Sequence, residues 1–226
     1  MNAAMTLDDQ HFAACNTCDR LTEADHRIAN HLAMLSGYAR LKSRAMVRQG
    51  KGLTARDALL LINAVDVQIN AVADLHRMLA GHGSRGPVDL PAYLGSVCTA
   101  LQSVGGDDLT IRRAFLPGCA LSSDHLLPVT QIVTEVMTNA IKHARDSAGK
   151  VALLVSCRPL ADAMIEVSVR DYGPGLAPNS APKAGQGLGL RIVERLLAQV
   201  GGTAAYLSDP AGLTVRLTIP AQRQTA

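Results

Sequence analysis

Apolar residues follow helical spacing through the first third of the chain, which has almost no strand signal. The first stripe consists of Leu21, Ile28, Leu32, Leu35 and Ala39. A turn is predicted at Gln49–Gly52, and Thr54 with Asp57 three residues later resembles a capping box that begins a second helix. We therefore predict an N-terminal tail over residues 1–20 and a helical hairpin over residues 21–82.

A second apolar seam runs along the predicted second helix at coiled-coil spacing. Its members are Ile62, Val65, Ile69, Val72, His76 and Leu79. Because two antiparallel helices with one apolar stripe each cannot enclose a core, we expect two hairpins to pair into a dimeric four-helix bundle. The position of His76 on this seam favours a core histidine over a reactive one.

The pattern changes after Gly81–Pro87, which is a linker by composition. Strands now alternate with helices, which favours a two-layer α/β sandwich over residues 88–222 and an α+β fold for the whole chain. Helices are predicted at Leu90–Val104, Leu126–Ala144 and Leu188–Val200, and strands at Leu109–Phe115, Val151–Ser156, Met164–Arg170, Thr203–Leu207 and Leu213–Ile219.

The composition is that of a globular protein, with 48% hydrophobic and 18% charged residues and a formal net charge of +3. Because acidic and basic residues are mixed, neither nucleic acid nor an anionic membrane is expected as a main partner. We expect a cytoplasmic protein, since the sequence has no long apolar run or secretory signal. Cys15 and Cys18 are the only close cysteine pair, and a zinc site would need a second pair of ligands.

Three polar residues share one face of the helix predicted over Leu126–Ala144. Glu135, Asn139 and His143 are spaced by four residues. A carboxylate and an amide oxygen one turn apart suit Mg²⁺, which prefers hard oxygen ligands. Lys142 or His143 is placed to meet phosphate oxygens. A polar helix face is by itself usually only solvated, so this interpretation depends on the rest of the chain.

Two glycine-rich segments follow. The first, directly after a strand, is Asp171-Tyr172-Gly173-Pro174-Gly175, where glycine lets the backbone approach a ligand and the aspartate is placed to accept a hydrogen bond from an exocyclic amine. An ordinary strand-ending turn is the alternative for it. The second is Gly185-Gln186-Gly187-Leu188-Gly189, and it leads into a helix whose N-terminal N–H groups form an anion site. Its spacing fits neither a Rossmann motif nor a P-loop.

In this order and spacing, the three patterns resemble the GHKL ATPase fold over roughly Leu90 to Pro220. That family includes histidine kinases, gyrase-type topoisomerases, mismatch-repair ATPases and a heat-shock chaperone. The resemblance implies that the protein binds ATP and Mg²⁺, with Asn139 as the metal ligand. It also implies that Asp171 reads the adenine amine and that Glu135 acts as a polarising or base residue near the γ-phosphate. The pocket and lid would be shaped by Gly173, Gly175, Gly185, Gly187, Leu188 and Gly189.

The sequence of the predicted hairpin distinguishes among the members of that family. Residues 23–30, Glu-Ala-Asp-His-Arg-Ile-Ala-Asn, resemble the His-Arg-x-x-Asn phosphoacceptor motif of one histidine-kinase subfamily, with His26 as the acceptor. Helical geometry favours His26 over His31, because His26 points away from the apolar stripe. A neutral imidazole is a nucleophile near neutral pH. Asp25 or Glu23 is placed to orient the ring and to take its second proton.

The sequence therefore predicts an ATP-dependent histidine kinase that phosphorylates its own His26 and passes the phosphoryl group to an aspartate of a response-regulator receiver domain. We expect a homodimer whose input comes from a separate sensor protein or from additional parts of a longer chain. The main competing hypothesis is a histidine phosphotransferase that does not use ATP, although such a relay needs neither Asn139 nor Asp171. Two further hypotheses are a serine kinase of the anti-sigma-factor type and a conformational clamp driven by ATP.

Overall fold

The computed structural model describes residues 28–44, 54–82, 87–176 and 188–222. Helix α1 covers residues 28–44 and helix α2 covers Ala55–His82. The predicted capping box begins α2: the Asp57 N–H donates to Thr54 Oγ1 at 3.1 Å, and the Thr54 hydroxyl donates to Asp57 Oδ2 at 2.6 Å. The predicted turn at Gln49–Gly52 and the N-terminal tail lie outside the described residues.

The second part of the chain is a mixed α/β unit. Its helices are α3 (Leu90–Gly105), α4 (Ser123–His143) and α5 (Leu188–Val200), with a short 3₁₀ turn at Gly106–Asp108. Its strands are β1 (Val88–Asp89), β2 (Leu109–Phe115), β3 (Ala120–Leu121), β4 (Val151–Leu160), β5 (Met164–Asp171), β6 (Thr203–Asp209) and β7 (Gly212–Pro220).

One five-stranded sheet, in the order β2-β4-β5-β7-β6, forms the second layer of this unit. Only β2 and β4 pair in parallel, and the remaining neighbours are antiparallel. Val155, Val167 and Leu217 are buried from three neighbouring strands, in one core with residues of α3, α4 and α5. On the opposite face Arg158 and Arg216 pair with Glu166. The helical region followed by a two-layer α/β sandwich confirms the predicted fold class.

Helix α2 packs on the sandwich with a face that differs from the predicted seam. Its buried residues are Leu60, Ala64, Val67, Gln68, Ala71, Val72 and Leu75, and they face α3 and α4. Of the predicted seam, Val72 is buried within the chain, whereas Ile62 is 62% exposed and Ile69 is 50% exposed, so the role of the seam in pairing two hairpins stays a prediction. Helix α2 therefore carries apolar residues on two faces. One face covers the sandwich, and the other remains accessible.

Helix α1 lies antiparallel to α2 and buries only part of its predicted stripe. Leu35 packs with Val72, and the ring of His31 lies 6.5 Å from the ring of His76. Tyr38 belongs to the main core, whereas Leu32 is 53% exposed. Among the side chains of the two helices that the structure describes, the exposed large apolar residues are Leu32, Leu41, Leu59, Ile62 and Ile69.

Among the described helices, only the segment Ala55–Arg77 of α2 is apolar and long enough to cross a membrane by length and composition. In the structure this helix packs against protein, with Leu60, Ala64 and Leu75 buried. Because both of its faces carry apolar residues, the helix is as apolar as a membrane-spanning segment.

Candidate functional site

Helix α4 positions the polar residues that the sequence pattern places on one face. Its N-cap is Ser122, whose side chain accepts a hydrogen bond from the Asp124 N–H. Most of its residues are buried, because α3, α5 and the hairpin surround it. Glu135 lies fully inside this core, and Asn139 is half-buried one turn later. The helix thus presents a buried carboxylate beside a more accessible amide.

The Glu135 carboxylate has three polar partners. Lys42 of α1 donates to Oε1 at 2.5 Å, and Asn139 Nδ2 donates to the same oxygen at 3.3 Å. The hydroxyl of Tyr38, also from α1, donates to Oε2 at 3.3 Å. Burial, and then the charge of Glu135, raise the pKa of Tyr38 well above its usual range, so this hydroxyl stays a donor. The carboxylate is therefore paired and hydrogen-bonded, as burial of a charge requires.

Asp171 ends strand β5 and is buried there. Its Oδ1 accepts the N–H of Gly173 at 3.0 Å and the N–H of Leu213 at 3.1 Å. Both bonds go to Oδ1, so Oδ2 is left to accept a hydrogen bond from a ligand amine. Gly212 is required beside it, because its φ is +138° and a Cβ there would lie 2.0 Å from the Asp171 carbonyl oxygen.

Close backbone contacts connect the glycines of the two glycine-rich segments to the rest of the site. A Cβ at Gly173 would lie 2.6 Å from Cα of Ala144, just past the end of α4. A Cβ at Gly189 would lie 2.1 Å from Glu135 Oε1 and 3.1 Å from Asn139 Nδ2. The loop after β5 and the start of α5 are therefore both packed against α4, which brings the three sequence patterns together.

The described residues fit Mg²⁺ and a nucleotide by their donor chemistry. The Asn139 amide nitrogen is engaged by Glu135, which leaves its oxygen as the hard ligand that Mg²⁺ prefers. Asp171 offers a fixed acceptor, and α5 presents its N-terminal end next to Asn139. Within the described residues, no group of three or more His, Cys, Asp and Glu side chains forms a metal cluster of its own. Phosphate oxygens and water would thus complete the coordination of an ion held by Asn139.

Two of the predicted phosphate contacts lie at the edge of this arrangement. Lys142 faces the hairpin, where its Nζ lies 3.8 Å from Asp57 Oδ1. The pKa of Asp57 is lowered mainly by the hydrogen bond from Thr54, with a further contribution from the charge of Lys142. His143 is exposed as the last residue of α4. Their roles toward phosphate stay predictions.

Several predicted site residues lie outside the described residues. They are Glu23, Asp25, His26, Gly185 and Gly187, together with the side chain of Leu188. Their assignment rests on the sequence. Conversely, Lys42 and Tyr38 contact Glu135 but carry no motif, and they are 93 and 97 residues away from it in sequence. No local pattern indicates such a contact.

Two family models match the chain in succession. A model described as "Histidine kinase" matches residues 23–104, and one described as "Histidine kinase-, DNA gyrase B-, and HSP90-like ATPase" matches residues 125–223. The two matches cover the hairpin with α3 and the region from α4 to β7.

Sequence similarity to individual proteins is consistent with these two family matches. The sensor histidine kinase component of Mycobacterium tuberculosis is 33% identical over 133 residues, which cover 52% of this chain and 74% of that protein. The C4-dicarboxylate transport sensor protein of Rhizobium meliloti is 26% identical over 207 residues, which cover 86% of this chain and 33% of that protein. The chain therefore spans about a third of the length of this second relative.

A solved structure extends the agreement to the fold. The histidine kinase domain of the blue-light-activated histidine kinase from Erythrobacter litoralis superimposes with a TM-score of 0.64. The match covers 89% of this chain and 93% of that domain, at 24% sequence identity. At this identity the likeness supports the arrangement of helices and strands.

Proposed function

This chain belongs to the histidine kinase family, and from that premise we propose that it phosphorylates its own His26 from Mg²⁺-ATP and passes the phosphoryl group to an aspartate of a response regulator. Histidine kinases typically dimerise and signal to response regulators. The observation that carries the proposal is the packing of Gly189 against Glu135 and Asn139, since it brings the start of α5 against the polar face of α4.

The geometry of the described residues supports the proposed nucleotide-binding roles. Asp171 accepts the adenine amine through the oxygen that its backbone bonds leave available. Asn139 holds Mg²⁺ through its amide oxygen, and the bound ion neutralises charge on the phosphates. The N-terminus of α5 lies beside Asn139, where its N–H groups favour anionic oxygens.

His26 performs the covalent step in this proposal. The lone pair of one ring nitrogen forms a bond to the γ-phosphorus while the bond from phosphorus to the bridging oxygen breaks and its electron pair leaves with ADP. Asp25 or Glu23 receives the proton from the second ring nitrogen. A carboxylate oxygen of the receiver aspartate later forms the new bond to phosphorus while the phosphorus–nitrogen bond breaks. Its electron pair returns to the ring, and the second ring nitrogen takes up a proton again, so that neutral imidazole is restored.

Dimerisation through the hairpin belongs to the same proposal. The accessible side of α2 displays Leu59, Ile62 and Ile69, which a second hairpin would cover. The predicted cytoplasmic location is part of the proposal as well, as is an input from a separate sensor protein or from additional parts of a longer chain.

Incubation with Mg²⁺ and γ-labelled ATP tests the reaction. We expect the wild type and a His31→Ala control to acquire acid-labile label, and His26→Ala to acquire none. Acid-stable label would indicate a serine or threonine kinase instead. Nucleotide binding without labelling would favour the relay or the clamp, and phosphotransfer from a charged receiver domain would then separate those two.

A further inference from the structure

The turn between β6 and β7 packs against the loop that follows β5. Leu213, near the start of β7, donates its N–H to Asp171 Oδ1 at 3.1 Å. A Cβ at Gly175 would lie 2.2 Å from the carbonyl oxygen of Asp209, and the φ of Gly175 is +68°. Only glycine permits so close a backbone contact. The turn therefore touches the loop both at Asp171 and at Gly175.

The side chain of Asp209 stabilises this turn. Its Oδ1 accepts the N–H of Ala211 at 2.7 Å, and its Oδ2 lies 3.8 Å from the guanidinium of Arg170 on β5. An aspartate that accepts the backbone N–H two residues later stabilises a tight turn. The carbonyl oxygen that faces Gly175 thus belongs to a turn with its own internal hydrogen bond.

Ser208, the residue before Asp209, holds the far end of the loop. Its hydroxyl oxygen accepts the N–H of Leu176 at 2.8 Å. The chain leaves the sheet after Asp171, so the N–H groups of the loop depend on partners outside the strand ladder. Pro174 has no N–H of its own. The hydroxyl of Ser208 therefore fixes the backbone at Leu176.

Leu176 connects two parts of the proposed nucleotide site. Asp171, which accepts the adenine amine in the proposed function, lies five residues earlier. Gly185 and Gly187, which are predicted to shape the lid, lie nine and eleven residues later. A loop that is already held in place has less freedom to lose when a ligand binds, so its contacts contribute more to affinity.

We propose that Ser208 is a positioning residue of the nucleotide site, whose hydroxyl fixes the loop from Asp171 to Leu176 for the adenine end of ATP. The inference rests on the proposed function, because it requires the nucleotide at this site. Ser208 acts through the backbone of Leu176, whereas Asp171 reads the base. Without the hydroxyl, the loop spends less time in the conformation that binds, and the apparent affinity falls by that fraction.

Hydrogen exchange of the Leu176 amide, measured by NMR on the full chain, tests the contact. We expect this amide to exchange about fivefold faster in Ser208→Ala than in the wild type, which corresponds to the net contribution of one hydrogen bond. Ser168→Ala is the matched control, because the Ser168 hydroxyl bonds that of Ser156 at 2.7 Å on the same sheet. In this control the exchange of Leu176 should equal that of the wild type. Equal rates in Ser208→Ala and the wild type would overturn the assignment.

Binding affinity provides the second test. Because Ser208 is exposed, Ser208→Ala should fold. Its Kd for a non-hydrolysable ATP analogue with Mg²⁺ should be about fivefold higher than that of Ser168→Ala, by the same hydrogen-bond contribution. Ser208→Thr keeps a hydroxyl and should bind as tightly as the wild type. Equal Kd values for the two alanine variants, or a loss in Ser208→Thr as large as in Ser208→Ala, would exclude the positioning role.

The outcomes separate this inference from the proposed function. Acid-labile label on His26 together with equal Kd values for Ser208→Ala and Ser168→Ala would refute the positioning role and leave the kinase assignment intact. Nucleotide binding that weakens in Ser208→Ala, without label on His26, would support the positioning role and contradict the kinase reaction. A wild-type protein that binds no Mg²⁺-nucleotide would contradict both.

Discussion

Gly189 at the start of α5 lies directly against the carboxylate of Glu135, so that a Cβ at residue 189 would approach Oε1 to 2.1 Å. Glu135 cannot move aside freely, because Lys42, Tyr38 and Asn139 all hold its carboxylate. The glycine is therefore needed for the packing between two helices as well as for an anion site. Its position makes the nucleotide site sensitive to the addition of a single methyl group.

Substitution Gly189→Ala should weaken nucleotide binding. The added methyl displaces Glu135 and the adjacent Asn139, and overpacking of this kind costs about 1–3 kcal/mol. Isothermal titration with a non-hydrolysable ATP analogue measures the effect. Gly37→Ala is the matched control: nothing lies within 4 Å of its Cβ position in α1, so binding should be retained and stability should rise by up to about 1 kcal/mol. Equal Kd values for the two variants would contradict the packing argument.

Substitution Asp171→Asn should reduce the preference for adenine. The asparagine oxygen retains the bonds from Gly173 and Leu213, but its amino group then faces the amine of the base. Two donors facing each other should cost about 1–3 kcal/mol of ATP affinity, as for an unsatisfied buried polar group. Competition of ATP and GTP against a fluorescent nucleotide measures the selectivity. A variant with unchanged selectivity and a normal melting temperature would show that Asp171 does not read the base.

Substitution Gly212→Ala should destabilise the fold much more than Gly106→Ala. Both glycines have positive φ, +138° and +55°, but only at Gly212 would a Cβ meet backbone, with the Asp171 carbonyl oxygen at 2.0 Å. We expect Gly106→Ala to lower the free energy of unfolding by about 1 kcal/mol, from the left-handed backbone alone. Gly212→Ala should cost about 2 kcal/mol more, in the range for strained core substitutions. Urea unfolding of both variants tests this order, and equal costs would refute the contact.

Stability should fall at alkaline pH, in part through Cys98. Burial is the main cause that raises the pKa of this thiol to about 11, from an ordinary value of 9.0. The neutral thiol is thus favoured in the folded state, and its contribution is complete below pH 9 and decreases as the pH rises toward 11. Each unit of pKa difference corresponds to about 1.4 kcal/mol. Urea unfolding between these pH values should show a steeper loss for the wild type than for Cys98→Ala, and identical slopes would contradict the assignment.

Much of the sandwich could be predicted from local sequence patterns. Strand β2 and helix α5 have the predicted bounds, since alternation and helical periodicity are both complete there. Strand β4 continues to Leu160, four residues beyond its predicted end at Ser156, because pairing with β5 continues past the alternating segment. The two-residue strands β1 and β3 were not predicted, since a pair that short has no periodicity of its own.

The relation between hairpin and sandwich could not be predicted from such patterns. The seam through Ile62 and Ile69 has coiled-coil spacing, yet α2 buries Leu60 and Ala64 on its opposite side. Both faces are apolar, so the sequence alone could not show which face packs on the sandwich. The contact between Lys42 and Glu135 joins residues 93 positions apart and depends on that docking. The motif residues of α4 were predicted from their spacing, but their partner on α1 required the three-dimensional arrangement.

Location of the phosphoryl group tests the central claim most directly. After reaction with Mg²⁺-ATP, trypsin cleavage at Arg20, Arg27 and Arg40 places His26 in the peptide 21–27 and His31 in the peptide 28–40. Digestion and tandem mass spectrometry at neutral to alkaline pH preserve a phosphorus–nitrogen bond. We predict a phosphoryl group on His26 in the first peptide. A phosphoryl group on His31, on a serine or threonine, or on neither peptide while the nucleotide binds, would contradict the account.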